Sequence, residues 1–182
     1  MKPIKPMLIT GLSALFLLSG CASSNSQSTP ADTDSHSHSD MNMQQPAQLA
    51  ANQTIMQNGD LRETTSAANE MPQFLMTKTQ EIQQVYAIAA KHLDVLQYIP
   101  CYCGCGEHAG HKSNAECFIH ETKDDGTIQW DDHGTRCNTC MEIAVTASKM
   151  SDEGKSTKEI RTYIDEHYKE GYAKPTPTPM PF

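Results

Sequence analysis

Apolar positions along the chain form a short block, then a long gap, then a periodic region. The block runs from Met7 to Leu18, behind Lys2 and Lys5 and ahead of the small residues Ser19 and Gly20. It is too short to span a bilayer and predicts a secretory leader over residues 1–20. No aromatic residue lies between Phe16 and Phe74, and Ala22 to Pro72 is dominated by Ser, Thr, Asn, Gln, Ala and acidic side chains. Such a stretch buries too little apolar surface to offset the entropy of ordering its backbone, which predicts a disordered tether over residues 21–76. Roughly fifty flexible residues reach about 40 Å.

From Thr77 the pattern turns helical. Ile82, Val85, Tyr86, Ala89, Leu93 and Leu96 share one face, a helix starting at Thr77 or Thr79 and ended by Pro100. His92 lies beside that stripe and reads as a boundary or solvated imidazole. Cys117 to Glu121 and Thr127 to Trp130 flank Asp125-Gly126 and predict a hairpin. A second helix is expected from near Cys137 to Asp152, stopped by Gly154 in the left-handed region. Ser156 and Glu159 form a capping box for a third, burying Ile160, Tyr163, Ile164, His167 and Tyr168. Lys174 to Phe182 has four prolines and reads as an extended Pro-rich tail, a solvated end first and, as the alternative, a segment packed back across the domain. The expected fold is mainly α: a small three-helix domain over 77–173 with a Cys-rich loop and a short β-hairpin, preceded by the tether. So small a core needs cross-links or metal for part of its stability.

Composition changes this picture in two ways. The formal charge is −8, and losing Lys2 and Lys5 with the leader takes it to −10. With no basic cluster beyond the leader, nucleic acid is excluded as a partner and cations are favoured. Six of the seven cysteines fall between Cys101 and Cys140, and the seventh, Cys21, ends Leu18-Ser19-Gly20-Cys21. That tetrapeptide looks like a bacterial lipobox, whose cysteine is acylated and becomes the mature N-terminus. The expectation is therefore a lipid anchor holding the protein on the extracytoplasmic side of the bacterial cell membrane. Within the tether, His36 and His38 lie among Asp34, Asp40, Met41 and Met43, a stretch that reads as spacer or as a weak Cu or Zn trap.

The dense segment places Cys101, Cys103 and Cys105 at a spacing of two, so an extended chain presents three sulfurs on one side. Cys117 and Cys137-x-x-Cys140 follow, with His108, His111, His120 and His133 interspersed. If Cys137 and Cys140 occupy a first helical turn, its free amides and dipole, with Arg136, favour their thiolates. Three readings stay open. Six cysteines in an exported domain suit three disulfides, although residues two apart rarely pair with each other. Clustered thiolates with imidazoles suit copper or zinc, with Cys101, Cys103, Cys105, Cys117, Cys137, Cys140, His111 and His133 as candidate ligands. Cys137 and Cys140 alone suit a redox dithiol exchanging with an exported thiol or metalloprotein partner. Met141 follows Cys140 where haem attachment would need His. Asp131 and Asp132 read as a solvated turn. No hydrolase triad order, phosphate loop or dinucleotide fingerprint is present.

Pro100-Cys-Tyr-Cys-Gly-Cys105, then Gly110-His111-Lys112-Ser113, Cys117-Phe118 and Cys137-x-x-Cys140 resemble the bacterial lipoprotein family named for its PCYCGC motif. The resemblance spans about Tyr86 to Tyr172 and implies a lipid-anchored exported protein without assigning its chemistry. More locally, Cys137-x-x-Cys140, Gly154-Lys-Ser, Glu159-Ile-Arg161, Tyr163-Ile164 and Tyr168 are similar to the thiol-reducing subunit of cytochrome c maturation machinery, a small helical domain.

Overall fold

The computed structural model describes residues 49–182. The leader, Cys21 and the His36/His38 stretch lie outside the described residues. Among the described residues no helix is long and apolar enough to cross a membrane.

The fold is a four-stranded antiparallel sheet packed with five helices, so the expectation of a mainly α, three-helix domain is corrected. Strands β1 (Gln53–Ile55), β2 (Leu61–Thr65), β3 (Ile119–Thr122) and β4 (Ile128–Asp131) lie in the order β1-β2-β4-β3. The hairpin around Asp125-Gly126 is present, with Ile119 opposite Trp130 and a register irregularity near His120. What the sequence pattern missed is the other half of the sheet, built from residues read as tether. Asn58-Gly59 turns the chain between β1 and β2, Gly59 standing at a φ of 85°. Asn-Gly between short strands is a hairpin signal.

The reason this pair escapes a hydrophobic pattern is that polar side chains occupy its buried positions. Glu63 is almost fully enclosed, and its carboxylate accepts from Gln53 Nε2 at 2.9 Å and from the Gln73 and Phe74 amides at 2.6 and 3.2 Å. It thereby caps the tight turn Gln73–Thr77, whose Leu75 enters the core. Thr65 accepts from Trp130 Nε1 at 2.7 Å. These bonds replace apolar burial in tying the segment down.

Helix α1 (Gln80–Lys91) buries Tyr86 and Ala89, then breaks at His92 before the short α2 (Leu93–Leu96). The predicted single helix is therefore two. His92 is buried, its Nε2 3.6 Å from Asp152 Oδ2, which corrects the solvated reading. A one-turn α3 (Gly106–Ala109) lies in the Cys-rich loop. Helix α4 (Asn138–Asp152) presents Cys140, Ile143, Ala144, Ala147 and Ser148 on one buried stripe, with Gly154 at φ 82° just beyond its end. Helix α5 (Thr157–Tyr168) starts at the expected Ser156/Glu159 capping box and buries Ile160, Ile164 and Tyr168. Tyr163 and His167 lie outside that face, and Arg161 is buried instead. The core centres on Trp130, Tyr86 and Phe118, with Tyr86 edge-on to Phe118 at 5.1 Å and donating its hydroxyl to Asp131 O at 2.7 Å.

The Pro-rich tail packs back across the domain, a second correction. Ala173 N donates to Tyr102 O at 3.1 Å, and Thr176 pairs with Cys101 through both of that residue's backbone groups. Thr178 Oγ1 donates to Lys112 O at 2.6 Å. Arg161 holds the strap, its Nη1 3.0 Å from Tyr98 O and 3.2 Å from Pro179 O while its Nε pairs with Asp165. Prolines suit this path because an extended strap needs few donors.

The Glu63 contacts generate a test. Replacement by alanine removes three part-buried hydrogen bonds, and at about 1 kcal/mol for each the domain should lose about 3 kcal/mol. Urea unfolding of the E63A chain should show a lower midpoint with an unchanged slope; an unshifted midpoint would mean that residues 49–65 are not part of the cooperative fold.

Candidate metal centre

Four chain segments deliver the six sulfurs. Cys101 and Tyr102 are extended and alternate as a strand does, so Cys101 points inward while Tyr102 stacks on Tyr168 at 5.5 Å on the other side. Cys103 follows on the Cys101 side, its Sγ 3.1 Å from that of Cys101. Gly104, at φ 80°, then ends the extended run, and Cys105 becomes the residue before α3. The third sulfur of the triplet therefore departs from the simple alternation and is exposed, though it stays near Cys103 and His133. Cys117 closes the tight turn Ala115–Cys117 just before β3. Cys137 is the N-cap of α4, where its sulfur accepts from Cys140 N at 3.4 Å, and Cys140 heads that helix's buried stripe.

The centre of the cluster is Cys140. Its sulfur lies 3.0 Å from Cys101 Sγ and 3.4 Å from Cys117 Sγ, and all three residues are buried. All six cysteines are free thiols. Ligand atoms fall into triads within 4.8 Å: Cys101, Cys117 and Cys140; Cys103, Cys137 and Cys140; Cys103, Cys105 and His133. Two thiolates on one ion at about 2.3 Å each are at most about 4.6 Å apart, so the spacing fits coordination. Trigonal binding at that bond length spaces sulfurs by about 4 Å, and the direct contacts would open by less than about 1 Å.

Charge is distributed unevenly. Hydrogen bonds from Cys101, then Cys137 and Cys140, hold the Cys103 thiol far below its ordinary range. Bonds with Cys101 and Cys140 do the same for Cys117 despite its burial. Their partners shift the other way. Cys101 is pushed up by its bonds to Cys103 and Cys117, Cys140 by those to Cys101, Cys103 and Cys117, and Cys137 to about 11 by Cys103. The helix terminus, expected to favour the Cys137 and Cys140 thiolates, is opposed here by neighbouring sulfurs that push both groups up. Burial raises Cys105.

His111 and His133 stand edge to face at 4.9 Å beside the sulfurs. His111 is buried, and neither ring nitrogen makes a hydrogen bond among the described residues; Asp131 Oδ2 lies 3.7 Å from Nε2. Burial opposes its charging, yet Asp131 and Cys117 push its pKa up to about 10. His133 Nδ1 faces the Asp60 carboxylate at 3.2 and 3.3 Å, leaving its other edge toward Cys103, which raises it. A carboxylate stands behind each imidazole, hydrogen-bonded to His133 and 3.7 Å from His111, the placement seen in carboxylate–histidine–metal arrangements. His108 is exposed, and His120 joins no triad.

Sequence reasoning missed both carboxylates. Asp131 is fully buried rather than a solvated turn: Arg62 Nε lies 3.1 Å away, the His133 amide donates at 2.9 Å, and the His111 ring faces it. Burial resists its ionisation, but these donors hold its carboxyl below the usual range. Asp132 accepts from Leu61 N at 2.7 Å, tying the centre to β2. Asp60 is buried between His133, Arg136 and Asn58. The Asn58-Gly59 turn signals its position, but nothing signals its partners.

A cavity of about 660 Å³ opens between the Cys-rich loop and the tail, bordered by Cys101, Gly106, His111, Thr176 and Pro177. A Cβ on Gly106 would stand 2.4 Å from Thr176 Cγ2, so only glycine lets the strap sit this close.

Residues 9–181 match the family described as protein of unknown function with PCYCGC motif. The chain belongs to the PCYCGC-motif family. No curated protein and no solved structure matches it, so the similarity to the cytochrome c maturation subunit finds no support there. For this PCYCGC-motif protein the cysteines of the motif, Cys101, Cys103 and Cys105, form one wall of the cluster, and Cys117, Cys137 and Cys140 complete it.

Burial orders thiol reactivity. In the reduced, metal-free full-length chain, alkylation followed by mass spectrometry should modify Cys105 first, then Cys103 and Cys137, with Cys101, Cys117 and Cys140 protected until unfolding. Ending the chain at residue 173 should uncover Cys101 selectively. Cys117 reacting as fast as Cys105 would contradict the arrangement.

Proposed function

We propose that this protein binds a soft metal ion, Cu(I) or Zn(II), through its clustered thiolates, while tethered by acylated Cys21 to the extracytoplasmic face of the bacterial cell membrane. One observation carries the metal reading: Cys140 Sγ meets Cys101 and Cys117 at once, at 3.0 and 3.4 Å. A disulfide joins a sulfur to one partner, whereas a metal ion gathers several around a point. The buried His111 ring supports the same reading: it makes no hydrogen bond among the described residues, and Asp131, 3.7 Å from Nε2, faces one of its two nitrogens only. When bound, the ion would supply the positive charge that lets several buried thiols ionise together. The residues that would hold it are Cys101, Cys103, Cys117, Cys137 and Cys140, with Cys105, His111 and His133 at the margin. Asp60 and Asp131 would act behind the imidazoles.

The membrane tether rests on Leu18-Ser19-Gly20-Cys21 and the leader before it. At about 0.8 kcal/mol per buried CH₂, two or three acyl chains would anchor the protein stably. Net negative charge suits a cation scavenger or carrier, and the partner that gives or takes the ion would be an exported metalloprotein or thiol protein. Thiol–disulfide exchange at Cys137 and Cys140 is the weaker reading, because Cys140 is buried and engaged with two further sulfurs.

Elemental analysis of the natively purified protein, with thiols counted under denaturation before and after reduction, discriminates among these. The expected result is bound copper or zinc with six reduced domain thiols, and loss of the metal in Cys140→Ser. Three oxidised pairs without metal would overturn the proposal in favour of disulfides.

A further inference from the structure

The three sulfur-containing triads are not separate. Cys140 belongs both to the buried group with Cys101 and Cys117 and to the middle group with Cys103 and Cys137, while Cys103 also belongs to the outer group with Cys105 and His133. Two residues are therefore shared, and each sits where one triad ends and the next begins. Burial grades along the same line, from the enclosed Cys101, Cys117 and Cys140, through half-buried Cys103 and Cys137, to exposed Cys105.

Resting on the metal-binding reading, we propose that the site is a chain of three Cu(I) ions bridged by the Cys140 and Cys103 thiolates, filled and emptied at the Cys105 end. Thiolate sulfur carries spare lone pairs and bridges soft monovalent ions, so two shared sulfurs join three three-coordinate positions using six cysteines and one histidine. Three-donor groups suit Cu(I); a closed zinc site asks for four donors around one ion. One ion in one triad would leave at least half of the six sulfurs without a function. Each thiol that becomes a ligand releases its proton to solvent, and copper stays Cu(I) throughout, so no oxidant or reductant is consumed. His133 is held for the outer position by Asp60 behind its Nδ1. Exposed Cys105 is the ligand that an incoming thiol or thioether donor meets first, which gives the cluster a direction of loading.

The test is anaerobic titration of the reduced full-length chain with Cu(I) against a competing Cu(I) chelator, read by native mass spectrometry and by the long-wavelength luminescence of shielded Cu(I)–thiolate clusters. Saturation is expected at three ions with luminescence. Cys140→Ser should fall to at most one ion, because it breaks two positions together. Cys105→Ser, a surface change that leaves the buried thiols in place, should saturate at two and keep the luminescence, which guards against a folding defect in the first variant. Saturation of the unaltered chain at a single ion would overturn the bridged chain while leaving metal binding intact. No bound ion at all would remove both. Three ions retained in Cys105→Ser would overturn the outer position.

Discussion

Enclosing Cys101, Cys117 and Cys140 together is the constraint around which the domain is organised. A buried protonated thiol behaves as a small apolar group, but a buried thiolate needs a cation or several donors. Here three sulfurs meet in the interior, and two more, from Cys103 and Cys137, stand immediately outside. The surrounding elements follow from that requirement. Helix α4 aims Cys140 inward on the same stripe as its core residues, the extended Cys101–Tyr102 segment is pinned by the tail, and the turn before β3 brings Cys117 from below. Asn114 reinforces the junction, its amide donating to Ile99 O and its side chain to Cys140 O.

The sheet serves the same centre from the other side. Strand β2 contributes Arg62 against Asp131, the turn before it contributes Asp60 against His133, and β4 carries Asp131 itself. Asp60, read as spacer, and Asp131, read as a solvated turn, thus become the carboxylates behind the imidazoles. These carboxylates face His111 and His133, and clustered cysteines are the donor type that suits soft ions.

How much of this was legible depended on whether burial was apolar. Helix α4, helix α5 with its capping box, and the Asp125-Gly126 hairpin follow from hydrophobic period and turn chemistry, and the structure has them. Strands β1 and β2 were not legible that way, because Glu63 and Thr65 fill their inward positions through hydrogen bonds rather than apolar area. The tail misled for a related reason: its prolines look solvated, but its attachment runs through Thr176, Thr178 and distant Arg161. At the site, the cysteine spacing announced a constellation, whereas Asp60 and Asp131 become meaningful only once long-range strand pairing places them beside two histidines. The helix-terminus argument for Cys137 and Cys140 left out the neighbouring sulfurs, which push both groups up.

Whether the sulfurs gather around metal is tested most directly by thermal unfolding of the reduced full-length chain under anaerobic conditions, with and without Cu(I). An ion bound only by the folded state stabilises it by about 2.7 kcal/mol at one hundred times the dissociation constant. The account predicts a midpoint that rises with Cu(I) concentration and returns to its starting value when a strong chelator is added. A midpoint indifferent to metal would contradict it.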